Sequence, residues 1–275
     1  MSDNPQTERK RTSYFASSGF FFLLVILLSI PFYVIGAAGN RLPMATFLPI
    51  SAIMAFIPMI AALILVYRQG GLGGAKEFLG RALDYRRIEG VAWALAALLL
   101  MPILALLQYG VLRGEGGALP AAQFFPVAEI VAFSVMLFVG AVGEELGWQG
   151  YAYPALKQRR SALNAALIIG TIWALWHVIP YAQMGRSADW IMWQCLGTIA
   201  LRVIIVWLFV NTGQSVFVAV LFHMMINLPW GLIQNYQMFY DPFVMFVILA
   251  FVAGIVVARW GPSTLARSRH APGRA

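Results

Sequence analysis

VAEIVAFSVMLFVGAVGEELGWQGYAYPAL, residues Val127–Leu156, is the stretch on which the reading turns. It is apolar over more than the roughly 20 residues a helix needs to cross hydrocarbon, so it reads as a membrane span long enough to tilt or protrude. Its interior nevertheless carries two adjacent glutamates, Glu144 and Glu145. Gly140, Gly143, Gly147 and Gly150 recur at helical spacing around them. Such a stripe lets a neighbouring helix approach closely, and helix packing alone accounts for it. Packing does not account for the glutamates.

Seven further runs share this character: Tyr14–Ala38, Met44–Tyr67, Val91–Leu112, Ser161–Ala182, Trp190–Val210, Gln214–Ile233 and Phe239–Ala258. The whole chain has 275 residues, 61% hydrophobic and 11% charged, with mean hydropathy +0.77. A soluble domain carries about 25% charged residues, so this composition excludes a soluble enzyme, a disordered chain and a nucleic-acid module. Continuous apolar runs also exclude an outer-membrane barrel, whose strands alternate over about 10 residues. The fold expected is all-α and polytopic, with about eight transmembrane helices. Residues 14–258 form one membrane domain between basic tails at 1–13 and 259–275. The first run is too long for a signal peptide and reads as an uncleaved span.

The net charge of +8 is explained by where the charges lie. The two tails and the loops after the second and fourth runs hold 15 of the 19 Lys and Arg residues. The alternate loops hold Arg41, Arg113 and Arg186, and Arg202 is left inside the sixth run. Cytoplasmic loops are enriched in Lys and Arg, so both termini are expected in the cytoplasm and the chain in a cell (inner) membrane. An even number of spans agrees. The glycine-rich Gln69–Gly74 reads as a flexible connection. Phe78, Leu79, Ala82 and Leu83 after it read as one face of a short helix lying on the cytoplasmic surface. Cys195, the single cysteine, reads as a small packing residue. No internal repeat is visible, which weighs against a transporter of duplicated halves.

Ionisable groups near the bilayer centre cost about 2.5–3.5 kcal/mol on insertion scales, so those present are functional candidates. They gather in the fourth to seventh runs. Besides Glu144 and Glu145 they are His177 in Trp173-Ala-Leu-Trp-His177, and His223 and Asn227 in His223-Met-Met-Ile-Asn227. At about 1.5 Å per residue from the nearest basic loop, Glu144 and Asn227 lie about 20 Å deep, His177 about 25 Å and His223 about 14 Å. All four can meet in one layer. Glu145 and Gln149 stand four apart and can touch. A carboxylate beside histidine can activate water, while histidine or asparagine can donate to a developing oxyanion. Two histidines and a carboxylate can equally hold a divalent metal ion, zinc first. Either route leads to hydrolysis of an acyl bond.

Glu144-Glu145-x-x-x-Gln149, Trp173-x-x-x-His177 and His223-x-x-x-Asn227, in that order on successive apolar helices, resemble the three motifs of the CPBP family. Its members are type II CAAX prenyl endopeptidases and bacteriocin-processing enzymes. The resemblance covers about residues 127–233. It implies an eight-helix intramembrane protease with its core on helices four, five and seven. Its substrate would be a membrane-associated protein or peptide, which can be prenylated. Glu144 would activate water with Glu145 as partner, and His177, His223 and Asn227 would complete the site, with or without a metal on the histidines.

Two positions depart from the family pattern. Gln149 stands where arginine is usual, and Trp173 where phenylalanine is. Glutamine can hydrogen-bond Glu145 but cannot neutralise it. Arg202 lies at a similar depth and needs a buried partner, which makes it a candidate replacement counter-ion for Glu145; snorkelling toward the headgroups is the alternative. The loss of the motif arginine also leaves room for a non-catalytic membrane protein, such as a bacteriocin self-immunity factor or a scaffold. A proton-coupled transporter using Glu144 and the histidines as a relay is a third reading.

Overall fold

The first turn of a helix has backbone N–H groups with no partner, and hydrocarbon offers no water to satisfy them. Four helices solve this with a side-chain cap. Ser161 accepts from Asn164 N at 3.1 Å and starts α5 (Ala162–Gln183). Ser187 accepts from Trp190 N at 3.2 Å and starts α6 (Ala188–Val210). Ser215 accepts from Val218 N at 3.3 Å and starts α7 (Val216–Leu232). Asp241 accepts from Val244 N at 3.0 Å and starts α8 (Pro242–Trp260).

The earlier elements are α1 (Ser18–Ala37), α2 (Ile57–Gly80), α3 (Val91–Gly114) and α4 (Val127–Glu145). A short antiparallel hairpin, β1 (Arg41–Leu42) with β2 (Ala45–Pro49), joins α1 to a 3-10 turn, Ile50–Phe56, that leads into α2. The chain after α4 continues as a π-helix, Leu146–Ala152, and a last α-turn, Tyr153–Lys157. This computed structural model describes residues 18–39, 41–42, 45–114, 123–234 and 236–266.

Among the described residues, seven helical stretches are long and apolar enough to cross a membrane, and α7 is a shorter apolar helix. The protein is therefore an all-α polytopic membrane protein of eight helices with one small hairpin. The seventh run is shorter than its sequence suggests, because α7 is interrupted by Pro229 and ends at Leu232. α6 is the most deeply buried span and packs between α5 and α8, while α7 packs on α4 and α3.

Several boundaries differ from the sequence reading. The second run was expected to begin at Met44, but its first described residues form β2. The helix does not stop at Tyr67. It passes through Gln69–Gly74 to Gly80 and breaks only at Gly71, where φ is 60° and ψ is −156°. The glycines there are thus not a flexible loop: a helix pairs its backbone groups internally even when its side chains favour a turn. Phe78 and Ala82 face inward while Leu79 and Leu83 face outward, so these four do not form one apolar surface face. Tyr14–Ser17 and the tail 1–13 lie outside the described residues.

The basic C-terminal segment is not free at its start. Arg259 and Trp260 close α8, and the chain then turns back. Ala162 N donates to Ser263 O and Leu163 N to Pro262 O, both at 3.0 Å, while Leu265 is fully buried. Residues 267–275, with His270, lie outside the described residues. Cys195 is half-buried, its thiol 3.5 Å from Ala174 O.

Candidate active site

α4 reaches the site by packing its glycines on α2 and the turn before it. A Cβ on Gly147 would stand 2.4 Å from Pro58 Cβ, and one on Gly143 would stand 2.7 Å from Ala55 O. Gly140 has nothing within 4 Å and lines a cavity instead, so the stripe serves packing over only part of its length. Directly after Glu145 the helix widens into the π-segment. π-turns inside α-helices are rare and often mark functional sites. Here the Gly150 carbonyl accepts from Arg81 Nη1 at 2.6 Å.

Glu144 is 7% exposed and stands at the wall of a cavity of about 840 Å³. Its Oε2 accepts from two indoles, Trp173 Nε1 at 2.5 Å and Trp148 Nε1 at 3.3 Å. Its Oε1 faces His223 Nε2 at 3.9 Å. One oxygen is therefore held from behind and the other remains for a ligand. The Trp173 departure is not merely one aromatic ring for another, because phenylalanine has no N–H to give. Trp148 is a further functional contact that the sequence reading passed over, since tryptophan in an apolar run reads as core.

Glu145 is completely buried and has both oxygens engaged. Oε1 takes His223 Nδ1 at 2.8 Å and Oε2 takes Arg202 Nη1 at 2.7 Å. The carboxylate thus orients His223 so that its other nitrogen points to Glu144. Arg202 is itself fully buried, and its guanidinium lies 4.1 Å from the centroid of the Trp173 ring. That places one cation against both carboxylate supports, directly on Glu145 and through the Trp173 face on Glu144. Arg202 is turned into the core, away from the headgroups.

Gln149 is also fully buried, but neither amide atom has a hydrogen-bond partner, so the contact expected with Glu145 is absent. The π-turn explains this. Its hydrogen bonds run from i to i+5, so residues four apart no longer stack on one face.

His177, on α5, donates from Nδ1. That atom lies 2.9 Å from Trp173 O, and a carbonyl can only accept, so Nδ1 carries a hydrogen, and in the neutral ring Nε2 is left as an acceptor. The ring is wedged edge-on to Trp176 at 4.9 Å and stacked on Tyr181 at 5.5 Å. His177, His223 and Asn227 all line the same cavity as Glu144. The five candidates thus come together from α4, α5 and α7, with Arg202 entering from α6.

Both histidines have one nitrogen fixed by an oxygen, as metal-binding histidines commonly do. Yet among the described residues no three His, Cys, Asp or Glu side chains converge closely enough to hold a metal ion.

Residues 126–229 match the family profile described as type II CAAX prenyl endopeptidase Rce1-like. The chain is also similar to a protein of Methanococcus maripaludis named CAAX prenyl protease 2. The two are 28% identical over 193 residues, which cover 66% of this chain and 70% of that one. The matched region contains every residue of the cavity wall named above as a candidate.

Proposed function

We propose that residues 126–229, which match the type II CAAX prenyl endopeptidase profile, form a CPBP-family domain, and that the chain is an intramembrane endopeptidase in which Glu144 activates water. The observation that carries this is the asymmetry of the Glu144 carboxylate. Two indole N–H groups hold one oxygen, and the other faces the cavity beside His223. A base needs such a free oxygen within reach of the water it deprotonates.

In the proposed reaction, water lies between Glu144 Oε1 and the bare Nε2 of His177, which accepts its second hydrogen. The water oxygen attacks the peptide carbonyl carbon, and its proton passes to Glu144. The oxyanion is met by the Asn227 amide N–H groups. The C–N bond then breaks and Glu144 returns the proton to the leaving nitrogen, giving a carboxylic acid and an amine; the acid's proton then passes to the amine, so that a carboxylate and an ammonium group leave. Glu145 and Arg202 touch neither substrate nor water in this scheme. They position His223 and the Trp173 indole. No step of this scheme is routed through a metal.

The substrate proposed is a membrane-associated peptide segment. Phe133, Met136 and Leu137 in the cavity wall accept an apolar or lipid-bearing stretch. The protein is proposed to sit in the cell (inner) membrane with both termini in the cytoplasm.

A non-catalytic scaffold is favoured by one observation, the unpartnered Gln149 amide. The cation that Gln149 lacks is supplied to Glu145 by Arg202, so the enzyme reading is the better supported of the two.

The test compares peptide N-termini in membranes holding the wild type or Glu144→Gln at matched abundance. New termini confined to the wild type are expected, and they should persist after chelator treatment. Identical profiles would remove the endopeptidase reading. Termini abolished by the chelator and restored by zinc would replace the metal-free scheme with a metal-dependent one.

A further inference from the structure

The two ends of this bundle can be told apart by their hydrogen bonds. At one end Gln183 Nε2 donates to Tyr33 O at 2.8 Å, Phe125 N to Leu232 O at 3.2 Å, and Gln108 Nε2 to Asp241 O at 2.7 Å. These join the ends of α1, α3, α5 and α7 to the starts of α4 and α8. At the other end Ser215 Oγ donates to Asp84 at 2.8 Å, Arg87 Nη1 to Gly213 O at 3.2 Å, and Asn211 Nδ2 to Leu265 O at 2.8 Å. These join the loops after α2, α6 and α8.

The cavity belongs wholly to the first end. From the Glu144 wall it extends to Phe125, Arg186, Ile233 and Gln237, all in connections at that end. Gln237 is exposed there. Toward the second end the way is shut by Trp148, Gln149 and Arg202, each fully buried, and by Tyr151 at 1% exposure. Among the described residues the cavity therefore leads from Glu144 to the first end and is closed toward the second.

Basic residues are distributed the opposite way. Among the described residues the second end carries nine, on α2 from Arg68 onward, in the loops after α2 and α4, and at Arg259. The first end carries Arg41, Arg113 and Arg186. Arg186 is partly turned in, its guanidinium 4.9 Å from the Trp190 ring and 5.8 Å from the Trp230 ring. Lys and Arg in short loops are retained on the cytoplasmic side during insertion. The basic end is thus the cytoplasmic one, and the cavity opens at the other.

We infer that Glu144 is reached from the non-cytoplasmic side of the membrane, so that its substrates are non-cytoplasmic peptide segments of membrane-bound or exported proteins. The substrate class rests on the endopeptidase reading; the direction of access does not. A cytoplasmic protein tail, prenylated or not, would meet the closed face of the bundle.

The test uses the full chain with Cys195→Ser and one new cysteine at a time, in sealed right-side-out membrane vesicles from a bacterial host. Gln237→Cys reports the cavity mouth and Gln158→Cys, exposed after α4, reports the basic end. Thiols that meet water react with a membrane-impermeant maleimide. Gln237→Cys is expected to label in sealed vesicles, and Gln158→Cys only after permeabilisation. The reverse order, or equal labelling of both in sealed vesicles, overturns the inference. Ser187→Cys, in the connection before α6, serves the same purpose if Gln237→Cys does not accumulate.

The substrate class is read from the Glu144-dependent termini. Cuts in non-cytoplasmic segments support it, and cuts in cytoplasmic segments overturn it. If the mouth labels from outside but no Glu144-dependent cuts exist, the endopeptidase reading falls with its substrate class, while the direction of access stands.

Discussion

On one side of the paired glutamates the bundle is solid, and on the other it is hollow. Tyr153, Leu208, Phe209, Val218 and Val220 fill the solid side with 2% exposure or less. The hollow side holds the cavity of about 840 Å³. Glu145 belongs to the solid side and Glu144 to the hollow one, although they are neighbours in sequence. One helical step turns a side chain by about 100°. That step separates a carboxylate with both oxygens bound from one with an oxygen to spare. Identical side chains thus meet different surroundings: Glu145 has both oxygens bound and Glu144 opens on the cavity.

The sharpest way to break this contrast is to neutralise each glutamate in turn. Glu144→Gln should lower the cleavage rate by about 10²–10⁴-fold, the usual worth of a general base, with the thermal unfolding of the detergent-solubilised protein unchanged. Should Glu145→Gln do the same without loss of stability, the division of labour is wrong.

Next in size is Arg202→Gln. Removing one partner of a buried ion pair costs about 3–5 kcal/mol, so the unfolding temperature should fall steeply. Arg202→Lys should fall between, because it keeps the charge but loses the flat contact with Trp173.

Trp173→Phe keeps the ring and removes the hydrogen bond to Glu144. Hydrogen bonds to charged groups are worth about 1.5–3 kcal/mol. The expected result is a lower kcat together with a loss of stability of about 1.5–3 kcal/mol, read from paired rate and unfolding measurements.

On the solid side, Gly147→Ala should destabilise by about 1–3 kcal/mol, because its methyl group meets the Pro58 backbone. Gly140→Ala, facing the hollow side, should stay within about 0.5 kcal/mol. Equal effects at the two glycines would show that the hollow and solid sides are less different than described.

Much of this was legible in the sequence because hydrocarbon is an unforgiving solvent. It makes every span a long apolar helix and every charge within one conspicuous. Glu144, Glu145, His177, His223, Asn227 and Arg202 stand out for that reason, and the structure gathers them. Trp148 and Trp173 were opaque as hydrogen-bond donors, since a tryptophan that packs and one that donates look alike in a hydropathy pattern. The Gln149 contact failed for a different reason. Spacing rules assume α-helical phase, and nothing in apolar composition announces a π-turn. The glycines at 69–74 misled because turn preference is a weak local term, and the continuing helix ladder outweighs it at every position but Gly71. The cavity was invisible too: it arises where helices diverge, and no single helix records that.

The π-segment Leu146–Ala152 works as a vernier between two scales. Everything upstream, through Glu144 and Glu145, is set to the cavity and its histidines. Everything downstream, through Tyr151 and Tyr153, is set to the aromatic floor against Phe21 and Phe209. A plain α-helix would have to serve both settings with one angular step, and the two do not agree. Deleting one residue from this segment would leave the hydropathy of the span almost untouched. It would nonetheless rotate one half against the other by about 100°, so that either the acid pair or the floor is out of alignment.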